Sequence, residues 1–191
     1  LRYSPDSRGL GDLYKRQIHG NHETLGLIEQ AKKDFPYAQL VTGGDYIDGR
    51  DSVKEVLDYL IEQKSEGAIV LLGNHEQMLL NYANEREHQD GIWFFNGGSD
   101  TLRQLSGEVA TPEELRASRY YRFLTGCPIM YETPNIVFVH GGVGPDEKYN
   151  DPATYNSVDH GFKIDYDFYR IWARERFWYS DTLNKKIAHN K

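Results

Sequence analysis

The sequence predicts an α/β fold in which a largely parallel sheet is covered by helices. Three observations carry that expectation. Apolar runs at Leu40-Val41, Ile69-Val70-Leu71-Leu72 and Ile136-Val137-Phe138-Val139 read as buried strands. Segments with apolar residues at helical spacing flank the second run on both sides. Each run also ends in a polar cluster: Gly44-Asp45-Tyr46-Ile47-Asp48, Gly73-Asn74-His75-Glu76 and His140-Gly141-Gly142. Strand, helix, strand, helix in this order predicts parallel strands with helices on the sheet faces. Ligands of such sheets bind beyond the carboxyl ends of the strands, which is where all three clusters fall.

Residues 1–17 carry no apolar period and are broken by Pro5, Gly9 and Gly11. They read as a non-native or disordered start, and a single domain is expected over 18–191. From Ile18 the pattern becomes regular. Asn21 is placed to cap a helix carrying Leu25, Ile28 and Ala31, with Pro36 beyond its end. Residues 38–42 form a strand. Ser52 and Glu55 have capping-box spacing ahead of Val53, Val56, Leu57, Leu60 and Ile61, which keep a 3.6-residue period. Residues 68–72 are the next strand and 75–87 the next helix. Residues 93–98 read as a loop, 101–105 as a short helix, and Pro112 opens a helix reaching Leu124. Residues 130–132 and 135–139 read as neighbouring strands joined through Thr133-Pro134. A long loop over 141–164 and a helix over 166–177 complete the pattern.

Composition bounds the function. The chain has 191 residues, 39% hydrophobic and 27% charged, enough for a real core. A net charge of -7 argues against sequence-independent nucleic-acid binding, which rests on cations. One cysteine, Cys127, excludes an internal disulfide and fits a reducing compartment. No apolar run approaches the roughly 20 residues of a membrane span, and no secretory leader pattern is visible. A cytoplasmic location is therefore expected, with no membrane partner.

The clusters offer carboxylate, amide oxygen and imidazole, a ligand mix suited to borderline divalent metals. Asp45 follows Gly43-Gly44, so its backbone is free to turn and its oxygens are free to bridge cations; alone it is also an ordinary turn aspartate. Asn74 is an uncharged oxygen ligand, though Asn-His at a helix start is also a common cap. His75 follows directly, so it points elsewhere, and a histidine beside a metal can protonate a leaving oxygen. Asp48 is spaced to orient a histidine. His140 by itself fits a packed core histidine equally well. Together the three clusters point to one site.

In order, Ile18-His19-Gly20, Gly44-Asp45-Tyr46-Ile47-Asp48, Gly73-Asn74-His75-Glu76 and His140-Gly141-Gly142 resemble the calcineurin-like metallophosphoesterases. The resemblance is to their bacterial and phage serine/threonine phosphoprotein phosphatase branch, and it extends over about residues 18–178. It takes in Trp93, Asn96-Gly97-Gly98, Thr101 and Trp172-Ala173-Arg174-Glu175. It implies an αββα sandwich of two mixed sheets packed face to face and flanked by helices. It also implies two divalent ions, Mn2+, Fe2+ or Zn2+. His19 would hold the first metal, Asp45 would bridge both, and Asn74 and His140 would hold the second. A metal-bridging water would attack phosphorus in line, and His75, oriented by Asp48, would protonate the leaving group. Arg174 and Arg50 would face the phosphate, although Arg174 on its own reads equally as a solvated helical arginine. The substrate would be a phosphorylated protein or a small phosphoester, with bis-nucleoside tetraphosphates as the alternative.

The chain also departs from the family pattern. The family has an aspartate two residues before its first histidine, and here that position is Gln17. A Gly11-Asp12 pair occurs earlier, and removing residues 13–17 would restore Gly-Asp-Ile-His-Gly. The arginine that directly follows the second aspartate of the Gly-Asp motif is absent, with Arg50 nearest to it. The last family signature, a turn with another metal histidine, is only hinted at by His189, so the C-terminal part is expected to be truncated. These losses predict weak or no activity for the 191 residues and leave a catalytically impaired phosphate-binding fragment as a further alternative.

Overall fold

The computed structural model describes residues 2–5, 11–15, 18–86, 90–108, 110–142 and 171–172. Two sheets are present among the described residues. The first has four strands in the order β1 (Arg2–Pro5), β2 (Gly11–Lys15), β3 (Gln39–Thr42) and β4 (Ile69–Val70). β2, β3 and β4 are parallel and β1 is antiparallel to β2, so the sheet is mixed. The second sheet is the antiparallel pair β5 (Met130–Glu132) and β6 (Val137–Val139).

The crossovers are α1 (Glu23–Asp34), between β2 and β3, and α2 (Val53–Ser65), between β3 and β4. The alternation of a pleated strand explains the layering. Leu40, Val70 and Leu72 belong to one core cluster with Ile28 of α1 and Val56, Leu57 and Leu60 of α2. Val41 and Leu71 point the other way and pack with Phe138 of β6, against which Ile69, Tyr131 and Ile136 also lie. Both faces of β3 and β4 are thus buried, which is why these strands read as continuous apolar runs. Ile28, Leu57 and Leu60 are fully buried, each contributing about 1.5–3 kcal/mol. The helix, sheet, sheet layering agrees with the expected sandwich.

After β4 the chain is helical: α3 (Asn74–Ala83), α4 (Asp90–Phe95), α5 (Gly98–Ser106), α6 (Pro112–Ala117) and α7 (Arg119–Thr125). Several elements differ from the sequence reading. The start of the chain carries two strands where the side-chain pattern shows none. Backbone pairing needs no apolar period, and β2 is held by its ladder to β3. Ser52 precedes α2 but makes no side-chain cap bond. Its Oγ instead meets His22 Nδ1 at 3.3 Å, and the Val53 N–H donates to Gln104 Oε1 at 2.8 Å. A tertiary partner has taken the place of the capping box.

The expected loop at 93–98 is largely helical, because Trp93 is wholly buried and anchors α4. The single helix expected from Pro112 is two helices. Ser118 is extended at ψ 157° and its Oγ accepts from the Tyr121 N–H at 3.1 Å, starting α7 afresh. The helix after Asn74 ends at Ala83 rather than 87. The expected loop over 141–164 lies outside the described residues apart from 141–142. Of the helix over 166–177, only 171–172 are described, and they are helical.

Candidate functional site

The carboxyl ends of β3 and β4 carry two loops pressed against each other. A Cβ on Gly73 would lie 2.4 Å from Asp45 N and 2.6 Å from Asp45 Oδ1, so only glycine allows this approach. Asp45 and Asp48 take left-handed backbone angles, with φ 58° and 63°, and His19 does so at 47°. Three non-glycine residues in this region at one place are costly, and such strain gathers at functional sites.

What holds the loops is Glu76. Fully buried on α3, its carboxylate accepts from the backbone N–H of Asp45 at 2.8 Å, Tyr46 at 2.7 Å, Ile47 at 3.2 Å and Gly73 at 3.0 Å. Burial, then the neighbouring Asp45 charge, push its carboxyl up to about 7, while the N–H donors pull it back. Tyr46 adds a second clamp. Its single hydroxyl proton goes to the Leu71 carbonyl at 2.6 Å, so the Thr42 hydroxyl and the Gly44 N–H, each at 2.9 Å, donate to it. Sequence reasoning gave neither residue a role. The available signal was a glutamate inside the strand-to-helix cluster, where a solvated residue is the usual occupant.

On this frame the structure brings together His19, Asp45, Asp48, Asn74, His75 and His140. His19 Nε2 is 3.6 Å and His140 Nε2 is 3.3 Å from Asp45 Oδ2. His140 Nε2 is also 2.8 Å from Asn74 Oδ1. Each imidazole turns its Nδ1 to a backbone carbonyl, His19 to Ile47 at 3.2 Å and His140 to Gly43 at 2.7 Å. A carbonyl only accepts, so Nδ1 carries the proton. In the neutral ring Nε2 then presents a lone pair toward oxygens that are acceptors too. Converging acceptors of this kind are satisfied by a cation or by an added proton. A backbone carbonyl on the far ring nitrogen is also the usual second partner of a metal-bound histidine. His19, Asp45 and His75 offer ligand atoms within 4.8 Å of one another. The donor set therefore fits divalent metal.

His75 stands beside this group, its ring 4.8 Å from that of His19. Its Nδ1 donates to Asp48 Oδ2 at 2.6 Å. Burial lowers the affinity of His75 for its proton. The bond to Asp48 and the charges of Asp45, Asp48 and Glu76 outweigh that and hold the imidazole above its ordinary range. Asp48 itself is buried and bonded to Trp93 and Thr101 as well. Arg50 is exposed, and its carbonyl accepts from Gln104 Nε2 at 2.9 Å. Arg174 and His189 lie outside the described residues, as does Gln17. Asp12 is paired opposite Gln39, while the β2 ladder ends at Lys15 opposite Thr42. At about 3.3 Å per residue, Asp12 sits roughly 10 Å short of that strand end.

A sheet whose strand ends gather imidazole, carboxylate and amide oxygen around a histidine–aspartate pair defines a class of metal-dependent hydrolases. The family model for calcineurin-like phosphoesterase matches residues 10–189, and the chain belongs to that family. It is also similar to Shewanella-like protein phosphatase 1 of Plasmodium berghei (strain Anka), at 25% identity over 197 residues. That match covers 90% of this chain and 52% of the relative, so the chain spans about half the length of the curated relative it matches.

Proposed function

We propose that this chain hydrolyses phosphomonoesters as a metal-dependent phosphatase acting on phosphoserine or phosphothreonine in proteins. The observation that carries the reading is the paired orientation of His19 and His140. Both direct Nε2 at Asp45 Oδ2 while their other ring nitrogens are tied to backbone carbonyls. The similarity to a relative named as a protein phosphatase supports the substrate class. In this reading His19 and Asp45 would hold one divalent ion, Mn2+ among the candidates, and Asp45, Asn74 and His140 would hold a second. Bound there, the ions supply Lewis acidity and an activated water.

The chain's own residues do the rest. Asp45 keeps its two oxygens at the junction because Glu76 fixes its backbone. Asp48 takes the Nδ1 proton of His75 in a hydrogen bond, so Nε2 is the ring atom that delivers a proton to the departing alkoxide. Arg50 and Arg174 are proposed to pair with phosphate oxygens. The free, buried Cys127 supports a reducing and hence cytoplasmic setting. Among the described residues no helix is long and apolar enough to cross a membrane.

The test is phosphate release from a phosphoserine peptide and from diadenosine tetraphosphate during a Mn2+ titration, with Asp45→Asn as control. Mn2+-dependent release from the peptide, absent in the control, is expected. Slow release is anticipated, because position 17 is glutamine where the family pattern has an aspartate. Release equal to the control on both substrates would sink the reading, and release from the tetraphosphate alone would redirect it to nucleotide hydrolysis.

A further inference from the structure

Resting on the phosphatase reading, we propose that Trp93 and Thr101 are positioning residues for the Asp48–His75 proton donor. They sit on α4 and α5, helices that carry none of the proposed metal or phosphate contacts. Asp48 Oδ2 accepts from His75 Nδ1 at 2.6 Å and from Trp93 Nε1 at 3.1 Å. Its Oδ1 accepts from the Thr101 hydroxyl at 2.5 Å, and the Asp48 N–H donates back to Thr101 Oγ1 at 3.1 Å.

A carboxylate bonded through one oxygen can rotate about its last bond and carry the other oxygen away. Here both oxygens are pinned, and the reciprocal bond with Thr101 ties the carboxylate to its own backbone at φ 63°. The angle at which Asp48 meets His75 is therefore set by α4 and α5. Both positioning side chains are completely buried. A purely space-filling residue at 93 would need no N–H, and a buried N–H is costly unless it is aimed at an acceptor. The site is also shaped for the indole: a Cβ on Gly98 would fall 2.5 Å from Trp93 Cδ2. A proton donor matters most when the leaving oxygen is a poor leaving group, so loss of its orientation has a signature that general loosening lacks.

The experiment compares wild type with Trp93→Phe, Thr101→Val and Thr101→Ser on phenyl phosphate and 2,4-dinitrophenyl phosphate with Mn2+. The first substrate needs protonation of its leaving oxygen and the second does not. Expected is a fall in kcat of about 10-fold on phenyl phosphate for W93F and T101V, under about 2-fold on the dinitrophenyl ester, with KM unchanged. T101S, which keeps the hydroxyl, restores wild-type behaviour. The hydrogen-bonded Nδ1 proton of His75, assigned by its loss in His75→Asn, is expected to shift or vanish in the NMR spectra of W93F and T101V. Equal losses on both esters, no loss on either, or an unmoved His75 proton overturns the proposal. If wild type turns over neither ester, the NMR comparison alone decides the positioning role, while the phosphopeptide assay decides the phosphatase reading. If W93F does not fold, the T101V and T101S pair decides it.

Discussion

Glu76 shows how much one side chain can fix. Four backbone N–H groups from two loops converge on one buried carboxylate. Glu76→Gln replaces one accepting oxygen by an amide that itself donates, leaving backbone N–H groups facing a donor. A loss of about 1–3 kcal/mol in urea unfolding is expected, as for a buried group left unsatisfied; an unchanged midpoint would contradict the clamp. Cys127 gives a second prediction at this scale. Burial raises its thiol to about 12. The thiolate is the reactive form, so iodoacetamide at pH 8 should leave the native chain unlabelled and label it once unfolded. The linkage has a definite sign. With a folded value near 12 and an unfolded value of about 8.5, the thiol's contribution is complete below about pH 8.5 and is lost as pH rises toward 12. Cys127→Ala should therefore show less alkaline loss of stability than wild type across that window.

At the level of elements, local signals decided some boundaries and long-range contacts decided others. Thr111, Pro112 and Glu114 form a real capping box: the Glu114 N–H donates to Thr111 Oγ1 at 3.3 Å and the Thr111 N–H to Glu114 Oε2 at 2.8 Å. Thr111→Ala should cost about 1 kcal/mol of stability, read as a lower denaturant midpoint with an unchanged slope. The same spacing at Ser52 and Glu55 forms no box: the Ser52 N–H donates to the Gly20 carbonyl at 3.2 Å, and the Ser52 Oγ meets His22 Nδ1 at 3.3 Å. Sequence spacing cannot register competitors that lie about 30 positions away in the chain. The contact between the β3 and β4 loops is equally specific. Gly73→Ala would thrust a methyl into Asp45 and push the two loops apart. Mn2+ binding should weaken at least about 10-fold by calorimetry, and wild-type affinity in that variant would show that the loops need not touch.

For the whole molecule the question is whether one site draws on both sheets. His19 follows the β2 strand, Asp45 follows β3, Asn74 follows β4, and His140 comes from the second sheet after β6. If they share cations, His19→Ala and His140→Ala should each lower Mn2+ affinity by about 10-fold or more, although their positions are 121 residues apart. Two losses would tie both sheets to one centre. Independence of binding from both histidines would place the metal elsewhere. The apolar layer of Val41, Leu71 and Phe138 bears on this directly, because it holds the second sheet against the first and so carries His140 to Asp45.

The sequence alone determined the apolar runs of β3, β4 and β6, the strand and helix order from α1 to α3, and the polar clusters that follow those runs. These depend on periodicity and on residues adjacent in the chain, and Asp45, Asn74, His75 and His140 were legible for that reason. The tertiary structure decided what those residues do to one another. The ring nitrogen each histidine turns inward, the four-fold grip of Glu76, the pinning of Asp48 by Trp93 and Thr101, and the failed cap at Ser52 all depend on partners far off in the chain. Hydrogen bonds are directional and short in range, so they are settled only when packing has brought the partners within reach.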